Sequence, residues 1–267
     1  MRSTITLTTD FGTRDGYVGA IKGVIRSIAP DARLLDISHD IGHGRVRQAS
    51  FLLDNILEFF PAGTIHLVVV DPTVGSARRA LIVEYRDCLL VGPDNGVFET
   101  AYRDSDAWNC YEISESSFML PNVSDSFHGR DIFAPVAAHL AVGVAPVEFG
   151  QPLEDPVRQS GPRKKIFGDG RIVGSVIHSD RFGNLITDIT AEELDTLGSA
   201  RSNLRISLCG KIIRGVSSHY AQAGPGKLIA LVGGTGRLEV AVNLNSAADV
   251  LGTPSLDAEV TVYETSE

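Results

Sequence analysis

Residues 65–75 read Ile65-His66-Leu67-Val68-Val69-Val70-Asp71-Pro72-Thr73-Val74-Gly75. Ile65–Val70 is a short apolar run rich in β-branched residues, the pattern of a strand buried on both faces of a parallel sheet. It stops at a carboxylate followed by proline. Upstream, Thr4–Thr9 is also β-rich and ends at Asp10. Between the two, Tyr17–Ile28 spaces Val18, Ile21, Val24, Ile25 and Ile28 at a helical period and meets Pro30. Arg33–Ile37 is a short strand. Arg47–Phe60 carries Phe51, Leu52, Ile56 and Phe59 at helical spacing before Pro61. Downstream, Ala80–Tyr85 and Cys88–Val91 are close enough to pair as a hairpin. Asp131–Val142 reads as a helix that tolerates Pro135 near its start. Strands alternating with helices predict an α/β domain with a Rossmann-like, mostly parallel sheet.

The texture changes at Gln151–Arg163, which gathers Pro152, Pro156, Gly161 and Pro162. Beyond it lie short β runs: Arg171–His178, Leu185–Ile189, Leu204–Leu208, Lys211–Gly215, Leu228–Val232, Arg237–Val242 and Glu259–Tyr263. Thr190 and Glu193 form the capping box of a short helix, Ala191–Leu197. Gly233-Gly234-Thr235-Gly236 lies between two of the strands and reads as a hairpin turn. The pattern predicts a smaller C-terminal β-barrel. We therefore expect an N-terminal α/β domain over 1–155, a linker over 156–168 and a C-terminal barrel over 169–267.

The chain has 267 residues, 43% hydrophobic and 21% charged, with a net charge of −9. These proportions fit a globular protein and argue against disorder. The acidic balance argues against a nucleic-acid partner. The cluster Arg163-Lys164-Lys165 reads as a solvated connector. Cys88, Cys110 and Cys209 are too few and too far apart for a disulfide framework or a CxxC metal pair, and Cys88 and Cys209, beside apolar residues, read as buried thiols. No apolar run suits a membrane span or a signal peptide. The expectation is a soluble cytoplasmic protein.

Ligands of open parallel sheets sit beyond the carboxyl ends of the strands. Asp10, Asp71 and Asp94 all fall there. Ser76-Ala77-Arg78-Arg79 continues the Asp71 loop, and Phe127-His128-Gly129-Arg130-Asp131 precedes a helix. Each residue alone is an ordinary turn former or cap; together they suggest a site. The glycine beside His128 fits a backbone that approaches something closely. No GxGxxG follows the first strand, and there is no Walker loop or GxSxG elbow. Asp36, His39, Asp40 and His43, with Asp10, Asp71 and His128, leave a metal site open as a competing reading.

Taken together, Thr9-Asp10-Phe11-Gly12, the run Asp15–Gly23, Asp71-Pro72-Thr73-Val74-Gly75, Gly92-Pro93-Asp94-Asn95-Gly96, the run Phe127–Pro135 and Asp180-Arg181-Phe182-Gly183-Asn184 resemble the S-adenosyl-L-methionine hydroxide adenosyltransferases. These are adenosine-forming hydrolases related to fluorinase and chlorinase. The resemblance runs in order over nearly the whole chain. It implies catalysis by Asp71, Arg78 and His128 acting on water. It implies that Asp10 takes the ribose hydroxyls, Asp180 the methionine ammonium group, and Phe182 and Asn184 the adenine side, with Asn95 a further substrate contact. It implies no cofactor and no metal, and a homotrimer with the active site between subunits. Two residues depart from the family pattern: Thr73 stands where glycine is common, and His43-Gly44 where a bulky residue lines the ribose pocket. An aspartate at position 71, where the halogenating relatives have tyrosine, favours hydrolysis over halide transfer. A halide-dependent transferase, a metal-dependent hydrolase and a non-catalytic nucleoside-binding protein are the alternatives.

Overall fold

The computed structural model describes residues 3–103, 108–159, 164–198 and 200–264. The chain divides into two compact units, Met1–Ser160 and Gly161–Glu267.

In the first unit, β1 (Thr4–Thr9), α1 (Tyr17–Ile28), β2 (Arg33–Ser38), α2 (Val46–Asp54), β3 (Ile65–Val69), β4 (Ala80–Tyr85), β5 (Cys88–Pro93), α3 (Glu99–Tyr102), β6 (Trp108–Glu112) and α4 (Ala134–Ala141) follow in order. They build a six-stranded sheet of order β2-β1-β3-β5-β4-β6. β1 pairs in parallel with β2 and β3, and β3 with β5, whereas β4 pairs antiparallel with β5 and β6. The sheet is therefore mixed: β1, β2 and β3 run parallel through the helices α1 and α2, β5 joins them in parallel on β3 after the hairpin strand β4, and β4 and β6 form an antiparallel edge.

The run Ile65–Val70 is buried throughout because it faces two cores. Ile65, Leu67 and Val69 pack with Ile21 and Ile25 of α1 and with Ala134, Val136 and Ala137 of α4. Val68 and Val70 pack with Ala49 and Leu53 of α2 and with Ala101 and Tyr102 of α3. Alternation along a strand sends successive side chains to opposite faces, so a sheet covered on both sides needs an unbroken apolar run. His66 interrupts it. Fully buried, it pairs through Nδ1 with Thr6 Oγ1 at 2.8 Å, and burial pushes its pKa down to about 4.

Two expectations need correction here. The helix expected to run to Phe60 ends at Asp54 and is followed by a separate 3₁₀ turn at Leu57–Phe59. Asn55 closes it, its amide Nδ2 donating to the Phe51 carbonyl at 2.9 Å, and Phe59 is exposed. Apolar spacing alone does not register such a side-chain cap. Cys209, expected to be buried, is exposed. It occupies the turn after Leu208 with φ +49°, next to Gly210 at +72°, and a tight hairpin turn points its residues to solvent.

The second unit contains β7 (Lys165–Phe167), β8 (Arg171–Ser179), β9 (Leu185–Thr190), α5 (Ala191–Asp195), β10 (Leu204–Leu208), β11 (Lys211–Arg214), β12 (Leu228–Val232), β13 (Arg237–Val242), α6 (Ala247–Val250) and β14 (Glu259–Glu264). Their antiparallel sheet has the order β11-β10-β14-β8-β9-β13-β12, with β7 on β8. A register shift between Val176 and His178 bends β8, and a parallel bridge from Ser217 to Leu231 brings the far edges together, so the sheet nearly closes as a barrel. Inward-facing Ile172, Val176, Leu185, Ile206, Leu208, Leu238, Val240 and Val262 fill it. The Thr190–Glu193 capping box is present at the start of α5.

Residues 155–159 are fastened to the first unit: Val157 N donates to Asp94 Oδ1 at 2.7 Å and Arg158 pairs with Glu99 at 2.8 Å. Of the basic cluster, Arg163 lies outside the described residues. Lys164 pairs with Glu193 at 2.5 Å and donates to the Asp188 carbonyl at 2.7 Å.

Candidate active site

The carboxyl edge of the first unit's sheet brings three of the expected side chains together. Asp71 lies just beyond β3, Arg78 just before β4, and His128 just before Gly129–Phe133, a π-helical turn that leads into α4. The Arg78 guanidinium stands between the other two. Its Nε donates to Asp71 Oδ2 at 2.9 Å, and Nη2 lies 2.6 Å from the same oxygen. Nη2 also donates to Nδ1 of His128 at 2.7 Å. The Asp71 and Arg78 side chains are only 5% and 7% exposed, and the guanidinium lies 5.1 Å from the centre of the Phe133 ring. Thr73, the departure from the family pattern, donates its backbone N–H and its hydroxyl to Asp71 Oδ1, each at 3.3 Å.

The loops that carry these groups are held by close packing. Gly75 has φ +79°, and a Cβ there would collide with the Asp125 carbonyl. The Asp71 loop thus rests directly on the segment that leads to His128. On the far side of His128, a Cβ on Gly129 would come within 3.3 Å of the Phe11 ring, which is the close approach expected for that glycine. Phe11 and Phe127 pack edge to face at 5.9 Å, Tyr17 joins them 5.2 Å from Phe127, and Arg130 lies over Phe127. Asp131 is fully buried and accepts from Arg130 Nε at 2.6 Å and from the Ser124 hydroxyl at 2.7 Å. Burial pushes its carboxyl up, but these bonds outweigh it and leave the pKa below the usual carboxylate value.

Asp10 projects at the end of β1, the neighbour of β3. Its side chain is 6% exposed; Oδ2 accepts from Gly44 N at 2.9 Å and lies 3.5 Å from His43 Nδ1. Gly44 in turn abuts Pro72, so the Asp10 and Asp71 loops are neighbours. Asn95 donates through Nδ2 to the Val70 carbonyl at 2.9 Å and accepts from Val97 N at 3.2 Å, which secures the end of β3. Asp94, the third carboxylate of the edge, is committed elsewhere. It is buried and pairs with Arg79 at 2.7 Å, while Arg79 also reaches Asp155 at 2.8 Å.

Burial, followed by the charge of Arg78, lowers the His128 pKa, against weaker pulls from Asp71, Asp131 and Asp125. The competing metal cluster does not assemble. Asp36 pairs with Lys22 at 2.6 Å and lies 3.1 Å from His39 Nε2, His39 Nδ1 pairs with Thr9, and the His43 side chain is 96% exposed. Among the described residues no three His, Cys, Asp or Glu side chains are grouped to hold a metal ion. No described helix is long and apolar enough to cross a membrane.

The second unit holds the remaining expected residues. Asp180 shapes a turn: Oδ1 accepts from Phe182 N at 2.9 Å and Asn184 N at 2.8 Å, and Oδ2 from Asn184 Nδ2 at 2.9 Å. Phe182 and Asn184 then line a groove of about 540 Å³ together with Tyr220, Val242, Asn243, Leu244 and Asn245. Phe182 is 76% and Leu244 87% exposed. The sequence reading missed Tyr220 and Asn243. Tyr220 opens a short 3₁₀ turn, Tyr220–Gln222, without a motif, and its place on the groove depends on long-range packing.

Residues 5–150 match the SAM hydroxide adenosyltransferase N-terminal domain and residues 174–259 the C-terminal domain of the same family. An "(R)-S-adenosyl-L-methionine hydrolase" of Salinispora tropica is 39% identical over 96% of this chain and 97% of its own. A "Fluorinase" of Actinopolyspora mzabensis is 26% identical over 92% of this chain and 93% of its own. The crystal structure of an uncharacterized conserved protein from Thermotoga maritima superimposes with a TM-score of 0.90 at 32% identity, covering 97% of this chain and all of that one. The chain belongs to the SAM hydroxide adenosyltransferase family.

Proposed function

We propose that the protein hydrolyses S-adenosyl-L-methionine to adenosine and L-methionine, without a metal or other cofactor. The observation that carries this reading is Arg78 joined to both Asp71 and His128. The hydrolase relative at 39% identity supports it over the fluorinase at 26%.

The sulfonium of the substrate is cationic and leaves as a neutral thioether, so the leaving group needs no general acid. A water oxygen bonds to C5′, the C5′–S bond breaks, its electron pair stays on sulfur, and the water gives up a proton. Alignment of that water can supply on the order of 7–11 kcal/mol at best. A free carboxylate, pKa about 4, cannot deprotonate water of pKa about 15.7 beforehand, so the proton moves as the C–O bond forms. The geometry favours Asp71 as its destination. A guanidinium offers donors only, so His128 Nδ1 accepts from Arg78 and the neutral ring carries its proton on Nε2. His128 then acts as a donor toward the water, and Arg78 holds the Asp71 charge in place.

In the same reading Asp10 binds the ribose hydroxyls, Asp180 the ammonium group, Phe182 and Asn184 the adenine side, and Asn95 is a further substrate contact. A homotrimer sharing its active site between subunits is part of the proposal. Phe182 and Leu244 support it, since both are largely exposed and lie together on one groove, and a contiguous apolar patch marks an interaction site. Three free cysteines fit a reducing cytoplasm.

The test is incubation of purified protein with S-adenosyl-L-methionine and chromatography of the products, with and without chelator and chloride. Equal amounts of adenosine and methionine, unaffected by either addition, are expected. Halogenated adenosine, or activity lost to the chelator and restored by metal, would overturn the assignment.

A further inference from the structure

β13 sends its side chains alternately to two faces. Leu238, Val240 and Val242 face the barrel core. The intervening Ala241 packs on the other side with Ile229, Leu231 and Ala223. Glu239 shares that second face, and it is 6% exposed. A buried carboxylate in the middle of an apolar strand is costly unless it is bonded. Here Oε1 accepts the Tyr220 hydroxyl at 2.6 Å, the length of a charge-assisted O–H···O bond. Burial raises the Glu239 pKa; the Tyr220 bond works against it and the charge of Asp180 adds to it.

Tyr220 lines the groove but belongs to a single 3₁₀ turn, Tyr220–Gln222, outside the sheet, and its side chain lies partly in solvent. A second bond, from just beyond the end of β13, fixes that segment, Asn243 Nδ2 donating to the Ala223 carbonyl at 2.6 Å. A ring held in one rotamer before the ligand arrives loses less entropy on binding.

We propose that Glu239 is a positioning residue of the nucleoside groove, its carboxylate holding the Tyr220 ring in the wall that this ring shares with Phe182 and Asn184. The inference rests on the reading of this groove as the nucleoside site. It assigns Glu239 to ground-state binding and not to the chemical step.

The experiment compares the parent protein with Glu239→Leu, Glu239→Gln, Tyr220→Phe and the Glu239→Leu/Tyr220→Phe double variant. Each is measured for KM, kcat and adenosine affinity by calorimetry. Glu239→Leu and Tyr220→Phe are each expected to raise KM and the adenosine Kd by about five- to tenfold, the effect of one lost hydrogen bond, with kcat within about twofold. The double variant is expected to be no worse than either single one, and Glu239→Gln, which restores an acceptor oxygen, to recover most of the loss. Additive effects, or a fall in kcat at constant KM, overturn the inference. If Glu239→Leu does not fold, Tyr220→Phe decides alone: unchanged KM and adenosine Kd overturn it. A parent that hydrolyses S-adenosyl-L-methionine while the variants match it fails this inference only. A parent with neither turnover nor adenosine binding fails the functional reading and this inference with it.

Discussion

Nη2 of Arg78 donates to Nδ1 of His128 across 2.7 Å, and this bond sets the imidazole tautomer. Only Nε2 then carries a proton in the neutral ring. An amide can imitate either half of that ring. Glutamine places its –NH₂ near the Nε2 position, and asparagine places its amide oxygen near Nδ1. His128→Gln is therefore expected to retain more activity than His128→Asn, and His128→Ala to lose about 10²–10³ in kcat. Single-turnover rates check this; an asparagine variant faster than the glutamine variant would reverse the assigned donor.

The same bond has a pH consequence. Burial and the Arg78 charge lower the His128 pKa, so the ring stays neutral down to below its ordinary value of about 6.5. Protonation would place a hydrogen on Nδ1, against a guanidinium donor. We expect kcat to be flat from pH 8 to about 6.5 and to fall only at lower pH. Arg78→Met removes the second of the two causes, so its acid limb should move to higher pH at whatever activity remains. A limb that stays in place, or moves to lower pH, contradicts the coupling.

Asp71 is the expected proton acceptor, so Asp71→Asn should lose about 10²–10⁴ in kcat while adenosine affinity stays within about threefold. Asp10→Ala should show the reverse pattern. A charge-assisted anchor is worth about 1.5–3 kcal/mol, which is about ten- to hundredfold in adenosine Kd. Calorimetry on both variants separates the two roles, and a shared effect on affinity would merge them.

Much of this site is legible in the sequence because its residues sit at strand ends, where alternation of apolar runs and polar stops marks the position. Asp10 and Asp71 each follow a run that the sheet must bury on both faces, and the structure places them at one edge. Asp94 occupies a similar position and belongs to an ion pair with Arg79 instead. Sequence spacing cannot distinguish the two, because the partner is chosen by which loop packs nearby. Tyr220 and Glu239 are hidden for the same reason: their bond spans a turn and two strands, and no local pattern records it. The premature end of α2 was illegible because a single side-chain cap at Asn55 outweighs the continued apolar spacing.

His66 links this fold to acid stability. Burial lowers its pKa to about 4, against an ordinary value of 6.5, and its Nε2 has no hydrogen-bond partner among the described residues. The native state thus binds fewer protons at this site than the unfolded chain does between these values. The contribution is fully present above pH 6.5 and is lost as pH falls toward 4, on the order of 3 kcal/mol in all. His66→Gln cannot titrate there, so its thermal midpoint should fall less than the parent's between pH 7 and pH 4.5. Parallel declines in the two proteins would assign acid sensitivity to other groups.

Gly75 is where backbone geometry and the candidate chemistry meet. Gly75 and Gly63 have nearly the same φ, +79° and +80°, but different surroundings: a Cβ on Gly63 meets open space, and one on Gly75 meets the Asp125 carbonyl. Alanine at either position incurs the left-handed backbone penalty of about 1–2 kcal/mol. Only at Gly75 must a loop also move, and that loop leads to His128, three residues beyond Asp125. Gly75→Ala should therefore lower both the thermal midpoint and kcat, because Arg78 and His128 would no longer meet at hydrogen-bond distance. Gly63→Ala should lower the midpoint alone. Equal kcat in the two variants would show that the contact between the Asp71 loop and the Asp125 segment does not hold the catalytic groups together.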